Sequence, residues 1–355
     1  MVVAKILNEQ SLSKMQKQTI ALAVFGALST STFADNSSVT LYGRLDVGVE
    51  SNDDATTKRL VVQNFLSRIG FKGEEDLQNG LKAVWQIETF ISPDEAKATD
   101  FATSNSYVGL KGGFGTILMG NYDSPYRSLV RNVMLLRNQV NALDLFINGK
   151  ASAAGLGANA NVRQKNVIQY HRPNIGGYLV RVSYAPDEDK VKGGTNKQEY
   201  ALSGEYVADT WNVGAAYYVK EDAVVLGKDF SAIKLIGSKK IGDITLAAAY
   251  SKLNNDAGNK TNTFMLSSAY KLGTTTLKAS VATAKETARH AKDGVDFLAL
   301  EVDYTLSKRS ILYGYLGQIQ NQELGIAKFT SGDNRFAPAA GKDPRVLGIA
   351  IFHRF

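Results

Sequence analysis

Val39-Thr40-Leu41-Tyr42-Gly43-Arg44-Leu45-Asp46-Val47-Gly48-Val49-Glu50 decides the fold. Leu41, Leu45, Val47 and Val49 share one parity, and Thr40, Arg44, Asp46 and Glu50 share the other. A period of two is that of a β-strand with one oily and one wet face. The same split recurs outward from this stretch. Leu81, Ala83, Trp85 and Ile87 oppose Lys82, Gln86 and Glu88, and Tyr178, Val180, Val182 and Tyr184 oppose Arg181 and Ser183. It returns in 199–207, 210–219, 243–251, 263–271, 274–282 and 296–304, and the final stretch sets Leu347, Ile349, Ile351, His353 and Phe355 on one side. Sixteen such segments of about 8–12 residues are read after residue 35, where helical periodicity is nearly lacking.

The connections alternate in length. Seven tight turns fall near 76–79, 112–115, 173–176, 208–209, 241–242, 272–273 and 307–309. Eight long loops are expected near 51–63, 91–103, 122–165, 186–197, 220–229, 253–262, 284–295 and 318–344. This is an up-and-down meander, and an even strand count puts both termini at the short-turn end.

A soluble sandwich would alternate too, but three features point to a membrane barrel. The apolar faces are almost free of charge. Aromatics cluster at strand ends on those faces: Tyr170, Tyr206, Tyr270, Tyr304 and Phe355 close strands in one direction, while Tyr178 and Trp211 open strands in the other. Backbone polar groups in lipid must all be paired, which a closed barrel achieves and an open sheet does not. The reading is therefore an all-β, 16-stranded antiparallel transmembrane barrel with short periplasmic turns and long extracellular loops. A mean hydropathy of −0.16 excludes a helical membrane bundle, which needs several apolar runs of about 20 residues.

The N-terminus reads as an export signal. Met15 to Gln18 is short and basic, Ile20 to Leu28 is apolar, and Thr32 and Ala34 are the small residues of a cleavage site after Ala34. Residues 1–34 are thus expected to be removed, with translation possible from Met15, leaving 35–355 as the barrel. The removed segment holds three lysines and one glutamate, so the +7 of the full chain falls to +5. The remaining basic residues are spread along strands and loops, which gives no footprint for nucleic acid. Composition narrows the chemistry further. There is no Cys and there are three scattered His, so thiolate, disulfide and histidine-metal sites are not expected, nor is any cofactor. None of the His lies beside a Ser/Asp constellation, so an enzyme is not expected.

A barrel this wide leaves a water channel, and the charges on its wall set which ions pass. The longest connection, 122–165, carries the apolar stretches Val130 to Leu136 and Leu143 to Ile147. Loops without a packing role rarely hold such residues, so this one is expected to fold against the inner wall. It has Arg127, Arg131, Arg137, Lys150, Arg163 and Lys165 against Asp123 and Asp144, a balance that favours anions.

Several motifs together resemble Gram-negative trimeric porins of the general-diffusion type, the neisserial and β-proteobacterial branch above all. They are Ser38-Val39-Thr40-Leu41-Tyr42-Gly43-Arg44-Leu45-Asp46, the run from Ser67-Arg68-Ile69-Gly70-Phe71-Lys72-Gly73-Glu74-Glu75-Asp76 to Trp85-Gln86, Tyr107-Val108-Gly109-Leu110-Lys111-Gly112-Gly113-Phe114-Gly115, and the terminal His353-Arg354-Phe355. The resemblance is strong over the first five strands and both ends, and elsewhere lies mainly in the pattern. It implies an outer-membrane homotrimer among lipid and lipopolysaccharide, passing small hydrophilic solutes, with both termini periplasmic. It also implies a third loop folded into the lumen, facing a ladder of basic residues. Arg44 and Arg68 fall where that ladder contributes Arg or Lys, and parity independently turns both inward.

The pattern departs at Ser104 and Asn121, where the family commonly has Arg, and at His171, where enteric relatives carry a basic residue. Arg127, Arg131 and Arg163 are candidates to compensate. Asp123 and Asp144, opposed to the ladder, would create a field across the narrowest point. Lys72, Lys82 and Arg181 face inward by the same parity. Phe355 resembles the terminal signal read by the barrel-assembly machinery. The competing reading is a substrate-specific channel or a surface ligand-binding barrel. Its sign would be a track of inward aromatics, and Tyr42 and Tyr218 alone do not make one.

Overall fold

The computed structural model describes residues 38–95, 100–130, 133–137, 140–142, 159–288, 291–329 and 338–355. The expected leader, Arg131, the apolar stretch Leu143 to Ile147 with its Asp144, and Lys150 lie outside these residues. Seventeen strand segments are described. They are β1 (Ser38–Asp53), β2 (Lys58–Asn64), β3 (Arg68–Asp76), β4 (Lys82–Phe90), β5 (Ser106–Gly112), β6 (Gly115–Asp123), β7 (Arg163–His171), β8 (Tyr178–Ala185) and β9 (Glu199–Val207). They continue as β10 (Trp211–Val225), β11 (Lys228–Ile241), β12 (Ile244–Asn255), β13 (Asn259–Leu272), β14 (Thr275–Ala284), β15 (Val295–Thr305), β16 (Ser310–Asn321) and β17 (Arg345–Arg354). One helical turn, α1 (Pro125–Ser128), follows β6.

Neighbouring segments pair antiparallel, and β1 pairs with β17 from Arg44↔Arg354 to Asp53↔Arg345, which closes the sheet. β2 and β3 are one interrupted stave, because both pair with β1: Val47–Asp53 with β2 and Ser38–Arg44 with β3. The barrel therefore has sixteen staves, as the alternation predicts. At the interruption Leu66 takes a left-handed φ of 64°. Phe65 turns inward, fully buried, with its ring 5.9 Å edge-on to Tyr315.

Parity divides oil from water. Val39, Leu41, Leu45 and Val49 of β1 are exposed, whereas Asp46 and Glu50, of the opposite parity, are buried inside. On a soluble protein that would be an untenable apolar surface; against acyl chains it is the solvent match. Aromatic pairs on β8, β9, β10 and β13 mark the borders of the apolar belt: Tyr178 and Tyr184, Tyr200 and Tyr206, Trp211 and Tyr217, Phe264 and Tyr270. Each pair is six residues apart, about 20 Å of strand. Neighbours touch around each border, with Tyr178–Tyr206 at 4.7 Å and Tyr206–Trp211 at 5.0 Å on one side, and Tyr184–Tyr200 at 5.2 Å on the other.

The seven tight turns lie where the sequence places them. Three of the expected long loops do not. The connections at 51–63, 220–229 and 253–262 shrink to residues 54–57, 226–227 and 256–258, because the flanking strands run on. Beyond the upper aromatic border the outward positions become polar, as at Lys252, Asn254 and Lys260. The hydrophobic period therefore ends while backbone pairing continues to Asn255↔Asn259.

The chain end completes the cylinder. The Phe355 N–H donates to the Gly43 carbonyl and the Gly43 N–H to the Phe355 carbonyl, both at 3.2 Å. A Cβ on Gly43 would overlap the Phe355 ring, so glycine is what lets the terminal aromatic lie flat on β1.

Candidate functional site

The described part of the third loop folds into the lumen, as the apolar residues between Val130 and Leu136 predict. Ser124 starts it, its Oγ accepting from the Arg127 N–H at 3.1 Å, and Pro125 presets the first helical residue. Tyr126 crosses to the far wall and is fully buried. Its hydroxyl hydrogen-bonds Ser251 of β12 at 2.9 Å, and its carbonyl accepts from Lys234 Nζ of β11 at 2.6 Å. Burial pushes the Tyr126 hydroxyl well above the usual phenol range, so it stays neutral. Leu129, Val133, Leu136 and Val140 are buried, each stabilising the docked loop by about 1.5–3 kcal/mol. Two wall glycines receive them. A Cβ on Gly214 would lie 2.7 Å from Leu129, and one on Gly317 would lie 2.9 Å from Val140.

Arg137 fixes the loop to β15–β17. Its guanidinium sits 4.9 Å from the Tyr313 ring centroid and 4.6 Å from that of Phe352. Nη2 reaches Asp303 at 3.2 Å, and the backbone N–H donates to Glu301 at 2.8 Å. Lys278 holds the same carboxylates at 2.6 Å and 2.8 Å. Beside this cluster, Tyr313 donates to Asp46 at 2.6 Å and Tyr315 to Glu50 at 2.7 Å.

The wall from β1 through β7 carries the arginines. Arg44 Nε donates to the Leu66 carbonyl at 3.1 Å, which the β2–β3 interruption turns toward it. Arg68 lies 3.4 Å from Glu88. Glu88 also accepts from Tyr42 at 3.0 Å and from Ser104. Arg163, the first residue of β7, reaches Asn105 at 2.9 Å and Asp123 at 3.1 Å, while Arg127 reaches Asp123 at 2.8 Å. These contacts run continuously over adjacent staves.

Arg44, Arg68, Arg127 and Arg163 are thus brought together. Asp123 joins them but does not oppose them. It ends β6 on the same wall and is held by two arginines, because the loop leaves that strand only at Ser124. The expected field from Asp123 across the pore is therefore not formed. Ser104, a departure from the resembled pattern, binds Glu88. Lys72, Lys82, Arg181 and His171 face inward but lie nearer the short-turn end. Lys72 stands 5.3 Å from the Tyr42 ring centroid, and Lys82 bonds Glu74 at 2.6 Å. His171 bonds Gln169 at 2.7 Å and sits in register with Arg181.

Glu88, Arg137, Lys278, Glu301 and Asp303 join the site in the structure without being singled out by the sequence. The strand residues among them are inward by parity, so that signal was present. The partners of Arg137 lie more than 160 residues away and left no local trace.

Residues 20–324 match the Gram-negative porin family. The chain belongs to that family. It is similar to outer membrane porin protein 32 of Delftia acidovorans, at 31% identity over 96% of this chain and 100% of that one. It is also similar to the major outer membrane protein P.IB of Neisseria gonorrhoeae, at 28% identity over 86% of this chain and 94% of that one. Among solved structures, the anion-selective porin from Comamonas acidovorans superposes with a TM-score of 0.76 at 26% identity, covering 90% of this porin and 100% of that chain. OmpT of Vibrio cholerae, in a trimer form, shares the fold at a TM-score of 0.69 and 15% identity, over 90% of this chain and 100% of that one. This porin is an outer-membrane diffusion channel, of a family of channels rather than enzymes.

Proposed function

We propose that this porin is an anion-preferring, general-diffusion channel that assembles as a homotrimer and catalyses nothing. The observation that carries the preference is the surplus of arginine on the inner wall, with the carboxylates most covered at Glu88 and behind the third loop. On the arginine wall the Arg68 side chain is 33% exposed, whereas its partner Glu88 is 5% exposed. Behind the third loop Glu301 is 0% exposed and Asp303 8%, and Asp46 and Glu50 are likewise buried under tyrosine hydroxyls. The other carboxylate of that wall, Asp123, is 24% exposed, as is Arg127, and is shared by Arg127 and Arg163, so Arg44, Arg68, Arg127 and Arg163 pair only with Glu88 and Asp123 there among the described residues. In a confined lumen that imbalance lowers the barrier for anions and raises it for cations.

The similar structure described as an anion-selective porin supports the same sign, and the one described in a trimer form supports the assembly. Arg44, Arg68, Arg127 and Arg163 are the residues assigned to the constriction. Residues 1–34 are assigned to a leader cleaved after Ala34. Phe355 is assigned as the assembly signal, supported by its seat on Gly43. Lipopolysaccharide and the assembly machinery are the partners this reading brings with it.

Purified protein in a planar bilayer under a KCl gradient tests the proposal. The reversal potential is expected to take the anion-selective sign; the cation-selective sign refutes it.

A further inference from the structure

On the periplasmic side of the arginine wall the lumen holds a cavity of about 400 Å³. Tyr107, Tyr122 and His171 line it together with Lys72, Lys111 and Leu118. The aromatic rings form a shelf: Tyr107 meets Tyr122 edge-on at 5.2 Å, and Tyr122 meets His171 at 5.7 Å. Leu118 lies fully buried in the wall of the same cavity. The three rings are half-buried and keep part of their surface toward the cavity.

The charges beside the shelf are unequal. Lys111 is 3.8 Å from Glu74, which is also bonded to Lys82. Lys72 has no carboxylate within ion-pair distance among the described residues; its ammonium stands 5.3 Å from the Tyr42 ring centroid. At neutral pH the cavity lining therefore carries one net positive charge next to π surfaces. That combination selects a flat ring bearing a single carboxylate over a small aliphatic anion, since only the former uses both features.

We propose that this vestibule is a subsite for aromatic monocarboxylates, with the ring against the Tyr107–Tyr122 shelf and the carboxylate at Lys72. It deepens the reading of the pore as an anion path by naming a solute class that lingers there.

The test uses the purified, assembled porin in planar bilayers at pH 7.5, with benzoate, cyclohexanecarboxylate and acetate added to the periplasmic side. Benzoate is expected to reduce the KCl current with saturation, at a half-blocking concentration well below that of cyclohexanecarboxylate, while acetate does not saturate. Tyr122→Leu and Lys72→Gln are each expected to raise the benzoate half-blocking concentration about fivefold, the effect of losing one ring contact or one exposed charge. Tyr107→Leu serves as the second ring variant should Tyr122→Leu fail to assemble. Equal behaviour of benzoate and cyclohexanecarboxylate overturns the proposal, as does benzoate block unchanged in the variants. The reversal potential of the unmodified porin, read in the same bilayers without benzoate, reports separately on anion preference.

Discussion

Arg137→Ala should loosen the third loop without opening the barrel. The side chain contributes an ion pair at 3.2 Å to Asp303 and two ring contacts, and it is only 16% exposed. Removing one partner of a buried pair typically costs about 3–5 kcal/mol, because the remaining carboxylates lose a counter-charge. Here Lys278 stays behind and still bonds both Glu301 and Asp303, so the low end, about 3 kcal/mol, is the appropriate figure. That is a shift of roughly a hundredfold in the equilibrium between docked and undocked loop. Tyr126, Leu129 and the Lys234 bond hold the first part of the loop independently, so release begins at its far section. Single-channel recordings should show brief excursions to a larger conductance that are rare in the unmodified porin, with far-UV circular dichroism unchanged. Arg137→Lys should fall between, since it restores charge but not the flat stacking between Tyr313 and Phe352. Conductance histograms for Arg137→Ala that superpose on those of the unmodified porin would refute the assignment of Arg137 as the clamp.

Two further outcomes follow from the wall and the seam. Arg68→Glu should move the reversal potential toward the cation-selective sign, and Lys82→Glu should move it less than half as far, because Lys82 sits beside Glu74 nearer the periplasmic mouth; both are read under one KCl gradient. Gly43→Val should slow barrel assembly and cost about 1–3 kcal/mol by driving the Phe355 ring off β1. The loss, measured by refolding in detergent, should be smaller than additive in combination with Phe355→Ala.

The fold was legible because a membrane barrel writes its geometry into alternate residues. Leu45 and Asp46 are neighbours in sequence and face opposite solvents, and that contrast survives in every stave. Where the outer solvent changes, the signal stops. Lys252, Asn254 and Lys260 stand above the aromatic border, so β12 and β13 look like loop although they remain paired. The break at Leu66 left no trace either, since it depends on a left-handed backbone that the sequence does not flag with glycine. Arg44 and Arg68 could be placed by parity and resemblance together. The role of Asp123 could not, because one residue decides between wall and loop, and it falls on the wall. The arginine count of the third loop also overstated its free charge: Arg137 is spent on buried carboxylates, and Arg127 and Arg163 share Asp123.

Successive side chains of each stave face lipid and water in turn. Because the chain has no native Cys, single cysteines can be read without background. Cysteines placed at Thr40, Arg68 and Lys72 should react with a charged, membrane-impermeant thiol reagent in assembled porin and reduce its current. Cysteines at Leu41, Ile69 and Phe71 should stay unreactive until the barrel is unfolded. Equal labelling at both sets, or the reverse order, contradicts the account.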